Sequence, residues 1–462
     1  MRKIVLKRGY SRGFWRIPAV AIALLPCAFS QFMGQGLGMP GVQGEPWGNG
    51  FGFYGVSAYA AYTSTAVPFN TVFPLVGEDL GPNYLAGGSA SAGWQEIGAR
   101  TIAHITYTIS YDASIRYSSW NSLNHRLFFG VSHGLTPRLT WSFSGSAATM
   151  RWDQFLFEPT ALSEVSQVPS TFDDLVQAIL AGNYSNNQLA SILTGAPVLE
   201  SPASTFIYGT RFFTSALNTQ LSYAQSVRLR IYAGASGSRT ETLASDRPQI
   251  DGVVLVPNTT TVNAMTGFSY ALTPLSVIGF ETTGSRVFSR YENAYTTTGA
   301  VTAGRAFGRH WIANGRGGAG TYFPVQQTFH YKPGPRYVAG GGLTFKANSQ
   351  TVLLQFNHSI TDSTGFGAQT GNSGSGAWEI HRPGQRWAFF SQGTYTSLTG
   401  STLSNVNAWL AGAGIARLDR HTTVRLAYMY GRDTGLISNT IESRHLQAVN
   451  LVVSWNPHPM AY

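Results

Sequence analysis

Charge is what this sequence has least of. Asp, Glu, Lys and Arg make up 11% of its 462 residues, against roughly 25% in ordinary soluble domains. Cysteine is down to one residue, Cys27. It lies in the N-terminal segment read below as a signal peptide, so the expected mature chain has no thiol. That excludes thiolate catalysis and Cys-based metal sites and suits an oxidising compartment, where such a chain cannot mispair. Long apolar runs are missing too. Past the N-terminal segment nothing approaches the ~18 apolar residues of a spanning helix, and mean hydropathy is −0.05. Catalytic signatures are also lacking: there is no nucleophile elbow, HExxH, phosphate loop or EF-hand loop. The ten His are scattered without i,i+4 pairing. His104, His133, His310, His358 and His421 read as lumen or turn residues rather than metal ligands. No enzyme, cofactor or metal is expected.

What is abundant is glycine (52) and aromatics (27 Phe, 22 Tyr). Low charge, many aromatics and near-zero hydropathy fit a wall with one lipid face and one polar face. The formal net charge of +10 is concentrated at the start. Arg2, Lys3, Lys7, Arg8, Arg12 and Arg16 lie in residues 1–30 with no acid, leaving 25 basic against 21 acidic residues beyond. No basic run survives past Arg16, so no nucleic-acid partner is expected. The same basic stretch, the apolar run 17–25 and Ala28-Phe-Ser30 read as a secretory signal peptide over 1–30. Residues 31–50 are Gly-rich and read as a periplasmic lead-in.

From Phe51 to Trp455 apolar and polar residues alternate. In 100–109, Ala103, Ile105, Tyr107 and Ile109 oppose His104, Thr106 and Thr108. In 138–146, Leu139, Trp141 and Phe143 oppose Thr140, Ser142 and Ser144. The last run puts Val449, Leu451, Val453 and Trp455 on one face, and Ala448, Asn450, Val452 and Ser454 on the other. This is the period of strands. The runs are about 10–15 residues long, more than the ~5–6 of soluble sheets. Short connections such as Leu135-Thr-Pro137, Leu272-Thr-Pro274 and Gly308-Arg-His310 alternate with long ones at 66–97, 151–205, 243–260, 323–336 and 362–373. Tyr and Trp recur near strand ends. The expected fold is an all-β, transmembrane, antiparallel up-and-down barrel over 51–455. It has about 18 strands, with 16 as the alternative, and its least secure pair is 97–109 and 114–121. A tail, 456–462, follows.

The export signal, the repeated short turns and the aromatic-ended last strand resemble a Gram-negative outer-membrane β-barrel. The resemblance covers roughly 50–455 and rests on architecture rather than a unique motif. It implies an outer-membrane, cell-surface location, lipid contact, help from the barrel-assembly machinery, and both termini in the periplasm. In that family the aromatic is the final residue; here Asn456 to Tyr462 follow Trp455. TonB-coupled transporters are similar to a 22-stranded barrel with a plug domain, for which the lead-in is too short.

The segment 151–205 breaks the alternation. Capping boxes at Ser170-Thr-Phe-Asp173 and Ser185-Asn-Asn-Gln188 start two short amphipathic helices, the first with Phe172, Leu175, Val176, Ile179 and Leu180 at helical spacing. Asp173 and Asp174 sit in its first turn, where carboxylates favour the dipole. This loop caps the rim, folds inward or forms a partner-binding knob. In the second case Phe172, Asp173, Asp174, Leu175 and Ile179 are constriction-loop candidates, as in large porins, which the chain resembles here. Arg100, Arg116, Arg138, Arg211, Arg228, Arg230, Arg386 and Arg425 are lumen or selectivity candidates, since fixed Arg charge in a water-filled channel attracts anions. Several stand near turns, where they would only shape the mouth. The expected function is a porin-like channel for passive diffusion of small polar, possibly anionic, solutes. The alternative is a structural or adhesive surface protein with a blocked lumen.

Overall fold

The computed structural model describes residues 49–64, 82–116, 121–151, 211–243, 249–250, 253–254, 258–290, 292–327, 334–347, 349–362, 368–381, 384–400, 406–437 and 440–457. The strands are β1 (Gly50–Thr63), β2 (Asn83–Ile97), β3 (Thr101–Ser114), β4 (Ser122–Gly134), β5 (Leu139–Arg151), β6 (Arg211–Ala224) and β7 (Leu229–Thr242). A two-residue hairpin, β8 (Gln249–Ile250) and β9 (Val253–Val254), stands apart. Then come β10 (Thr259–Thr273), β11 (Ser276–Ser289), β12 (Glu292–Phe307), β13 (Trp311–Gln327), β14 (Gly334–Ala347) and β15 (Gln350–Asp362). The last are β16 (Ala368–His381), β17 (Trp387–Gly400), β18 (Val406–Leu418), β19 (Thr422–Ile437) and β20 (Thr440–Trp455).

All but β8 and β9 form one 18-stranded sheet of antiparallel neighbours. It closes because β1 pairs on one edge with β2 and on the other with β20, Ala58 facing Val453 and Ala60 facing Leu451. Closure leaves no edge strand with unpaired backbone groups. Period two then decides what each face carries. Val449, Leu451, Val453 and Trp455 are 39–43% exposed, while Ala448, Asn450 and Val452 between them are buried. In β3, Ile105, Tyr107, Ile109 and Tyr111 point out, and Thr108, Ser110 and Asp112 point in. An apolar exterior on a closed barrel is the form in which strands cross a membrane. In β1 the register shifts between Phe53 and Gly55. That bulge lets Phe53 and Val56, three residues apart, both face out.

The short turns share one end of the barrel: 98–100, 135–138, 225–228, 274–275, 308–310 and 419–421 are among them. Two repeat one device. Thr136 Oγ1 accepts the amides of Arg138 (3.2 Å) and Leu139 (3.0 Å). Ser226 Oγ accepts those of Arg228 (3.2 Å) and Leu229 (3.0 Å). A hydroxyl that satisfies turn amides fixes the hairpin. Gly308 takes φ +63° and Gly384 +78°, a region costly for other residues. At this end outward Trp311 packs on Phe345 with centroids 4.7 Å apart, and Trp455 lies 6.3 Å from Phe53.

Two strand assignments need correction. The described part of 114–121 forms no separate strand: β3 ends at Ser114, and Ile115, Arg116 and Asn121 lie outside strands. Residues 83–97, read from sequence as connection, are β2. Its outward Ala86, Gly88, Ala90 and Ala92 and inward Gly87, Ser89, Ser91 and Gly93 differ too little in polarity to show a period. The two errors cancel in the count. The expected signal peptide, nearly all of the expected lead-in, the segment 152–210 where two helices are expected, and 458–462 lie outside the described residues. Among the described residues there is no helix.

Candidate functional site: the inner wall

Alternation puts Ser, Thr, Asn and a few charges on the inside, where they bond across strands. Ser57 Oγ lies 2.6 Å from Ser89 Oγ, Ser91 Oγ 2.8 Å from Thr108 Oγ1, and Asn83 Nδ2 donates to Ser114 Oγ at 2.9 Å. An 18-strand circumference is too wide for side chains to fill.

One motif recurs three times on this wall. A long polar side chain lies across a glycine of the next strand and bonds to an acceptor on the strand after. Tyr59 faces Gly87, which faces Asp112, and the phenol donates to Asp112 Oδ1 at 2.8 Å. Tyr232 faces Gly267, which faces Glu281, and donates to Oε2 at 3.2 Å. Arg316 faces Gly340, which faces Asn357, and Nη2 donates to Oδ1 at 2.6 Å. The glycine is required by space. A Cβ on Gly267 would stand 2.5 Å from the Tyr232 hydroxyl, and one on Gly340 3.1 Å from Arg316 Nε. Each saddle ties three strands together and holds a charged or phenolic group flat against the wall.

The Arg candidates separate into groups. Arg230 in β7 and Arg425 in β19 are on the inner face, Arg425 buried. Arg211 opens β6 in register with Arg151, on the face of outward Leu217 and Leu221 and not on the lumen face expected of it. Arg116 follows β3 at the other end from the short turns, and its Nη1 donates to Pro82 O at 3.3 Å. Arg100, Arg138, Arg228 and Arg386 lie in short turns. Each occupies the residue just before a strand, and its carbonyl accepts a backbone amide from the neighbouring hairpin: Gly134, Ala224, Ala271 and Leu418 at 2.7–2.8 Å. His310 and His421 take the same position, accepting from Lys346 and Asn456. Leu275 and Ser349 hold it on two further turns, accepting from Ala306 and His381, so four of the equivalent positions described carry Arg at this end. Arg386 is 3.1 Å from Asp419, which also meets Arg417 at 3.3 Å. Both pairs are exposed and contribute little.

Alternation also places Arg126, Arg316 and Lys346 inward, with Asp112, Glu281 and Glu379 as acids. Arg126, Arg316 and Lys346 were not among the sequence candidates. Arg126 was hidden because Phe128 shares its face, and Arg316 because Gly dominates its strand. Phe172, Asp173, Asp174, Leu175 and Ile179 lie outside the described residues. Among the described residues no group of three His, Cys, Asp or Glu could hold a metal.

No family model matches the sequence, and no curated protein does. Among solved structures the chain is similar to Pseudomonas aeruginosa OccK2 (OpdF) in complex with glucuronate, at 8% identity, TM-score 0.44, over 90% of this chain and 100% of that one. It is similar to a BenF-like porin from Pseudomonas fluorescens Pf-5 at 9% identity, TM-score 0.43, over 89% and 98%. It is also similar to the FrpB iron transporter from Neisseria meningitidis (F3-3 variant) at 8% identity, TM-score 0.40, over 90% and 82%. Identities this low and superpositions this loose carry nothing about solute or mechanism.

Proposed function

We propose that the protein is an outer-membrane channel through which small polar solutes diffuse, with a preference for anions. The observation that carries this reading is the closed barrel of 18 strands with an apolar exterior and an inner wall of hydroxyls, amides and mostly basic charge. Such a wall solvates polar solutes without a covalent step or cofactor. Arg100, Arg138, Arg228 and Arg386 at the short-turn end would raise the local concentration of anions before entry. Among the inward side chains described within the barrel, Arg126, Arg230, Arg316, Arg336, Lys346 and Arg425 outnumber Asp112, Glu281 and Glu379. Export by the segment 1–30 and insertion by the assembly machinery belong to the same reading.

The test is a planar bilayer with the purified protein under a KCl gradient. Stepwise conductance and a reversal potential of the sign set by chloride are expected. Absence of steps would remove the channel; a potassium-signed potential would remove the anion preference. A second reading, a surface protein with a blocked lumen, is favoured by inward Leu353, Phe390 and Met429, which are 1%, 4% and 2% exposed. It predicts a folded barrel that does not conduct.

A further inference from the structure

Outward charge sits toward the ends of the strands, at Arg211, Arg305, Arg417 and Arg432 for example, and one group of outward cations is built like a binding site. It lies on β7, β10, β11 and β12, at the end away from the short turns. Thr260 in β10 stands between Arg239 of β7 and Phe288 of β11. One step further along, Val262 faces Arg286 of β11, which faces Tyr295 of β12. The Arg286 guanidinium is held between two rings, 4.3 Å from the Phe288 centroid and 4.6 Å from that of Tyr295, and Nε donates to Asn293 Oδ1 at 3.3 Å. Two rings and an amide leave this Arg little freedom, so its planar donors are pre-oriented.

Arg239 is more exposed, 57% at the side chain, and makes an ion pair with Glu241 on its own strand. Glu241 offsets part of the positive charge, and exposed Arg290 just past β11 adds to it. The surroundings are apolar. Phe288 is 36% exposed, Tyr295 41% and Val262 50%. Toward mid-barrel the outward residues of the same strands pass through Ala264, Gly284, Thr266 and Thr282 to Ala233, Phe268, Phe280 and Val301. Two guanidiniums on the strands either side of one that carries a hydroxyl match a phosphate. An outward slope of small, threonine and apolar residues without charge, running down from them to Phe268 and Phe280, matches acyl chains. An ion in water would have no use for the slope.

We propose that Arg239, Thr260 and Arg286 form a site on the outer wall for the phosphate of an anionic membrane lipid, whose acyl chains lie along Val262 and Phe280. The site depends on the barrel's being embedded in a bilayer and not on conduction. A non-conducting protein that retains the lipid would leave it standing.

The test uses the full-length protein in detergent micelles, with folding checked by heat-modifiable gel mobility. Native mass spectrometry compares retention of dioleoylphosphatidylglycerol and dioleoylphosphatidylcholine, with inorganic phosphate as competitor. The expected result is preferential retention of phosphatidylglycerol. The double variant R239Q/R286Q should lower its apparent affinity by about 30-fold, one surface cation's worth for each Arg. Arg126→Gln, on the inner wall, should leave phosphatidylglycerol retention unchanged. Should the double variant fail to fold, Arg286→Lys replaces it; it keeps the charge but loses the fork and ring contacts, and a several-fold loss is expected. Equal retention of the two lipids by the unaltered protein would overturn the proposal. So would retention like that of the unaltered protein in R239Q/R286Q or Arg286→Lys. Ready displacement of the lipid by inorganic phosphate would make the site one for free ions and overturn it as well.

Discussion

Replacing Gly267 with Ala puts a methyl group where the Tyr232 ring now lies. The new Cβ would be 2.5 Å from the phenol oxygen, 2.7 Å from Cζ and 2.6 Å from the Phe280 carbonyl oxygen. The ring must swing off the wall, and its bond to Glu281 Oε2 is lost. Overpacking of this kind costs about 1–3 kcal/mol, and a hydrogen bond to a charged acceptor is worth about 1.5–3 kcal/mol when shielded. Water in the lumen replaces part of the second term, so roughly 3 kcal/mol in total is expected. Tyr232→Ala removes the ring in advance. In that background Gly267→Ala should lose at least about 1 kcal/mol of its cost, with the remainder set by the Phe280 carbonyl. Gly284 supplies the control, since a Cβ there meets nothing within 4 Å. Gly284→Ala should be neutral or stabilise by about 0.5–1 kcal/mol. Urea titration in phospholipid vesicles, followed by tryptophan fluorescence, measures all four variants. Additive costs for Gly267→Ala and Tyr232→Ala, or a Gly267→Ala no worse than Gly284→Ala, would refute the saddle.

Further expectations concern the turns, the outer face and the lumen. Thr136→Val removes an acceptor for two turn amides and should cost about 1 kcal/mol in the same titration; Ser226→Ala should behave alike. Leu451→Arg puts a charge on the lipid face of the closing strand and should cost about 2–4 kcal/mol; an unchanged urea midpoint would mean that face is not against lipid. The pair Arg230→Glu and Arg425→Glu should move the reversal potential toward potassium, while an unchanged potential would place the selectivity elsewhere.

The barrel itself was legible in the sequence because a lipid face and a wet face differ strongly wherever bulky residues occur. Ile105, Tyr107 and Ile109 against Thr106 and Thr108 could be read from the letters alone. β2 was not legible, because Ala, Gly and Ser serve both faces there and the pattern has no contrast. The saddles were hidden for another reason. Each depends on which residue of one strand faces which glycine of the next, and register is a property of pairs of strands. The placement of the Arg residues shows the same limit. Arg425 falls within a run whose period is clear, with Leu426 and Tyr428 as markers. Arg100, Arg138 and Arg228 stand one residue before a strand begins, and polarity alone cannot separate a strand's first residue from the last residue of a turn.

The central claim is a barrel with a wet interior and a lipid-covered exterior, and β12 offers a direct reading of it. With Cys27 replaced by Ser, single cysteines at inward Thr298 and Thr302 and at outward Val301 and Ala303 would be exposed to a membrane-impermeant maleimide in liposomes. Labelling of 298 and 302 with protection of 301 and 303 is the predicted result. The reverse pattern, or no labelling at any of the four positions, would contradict it.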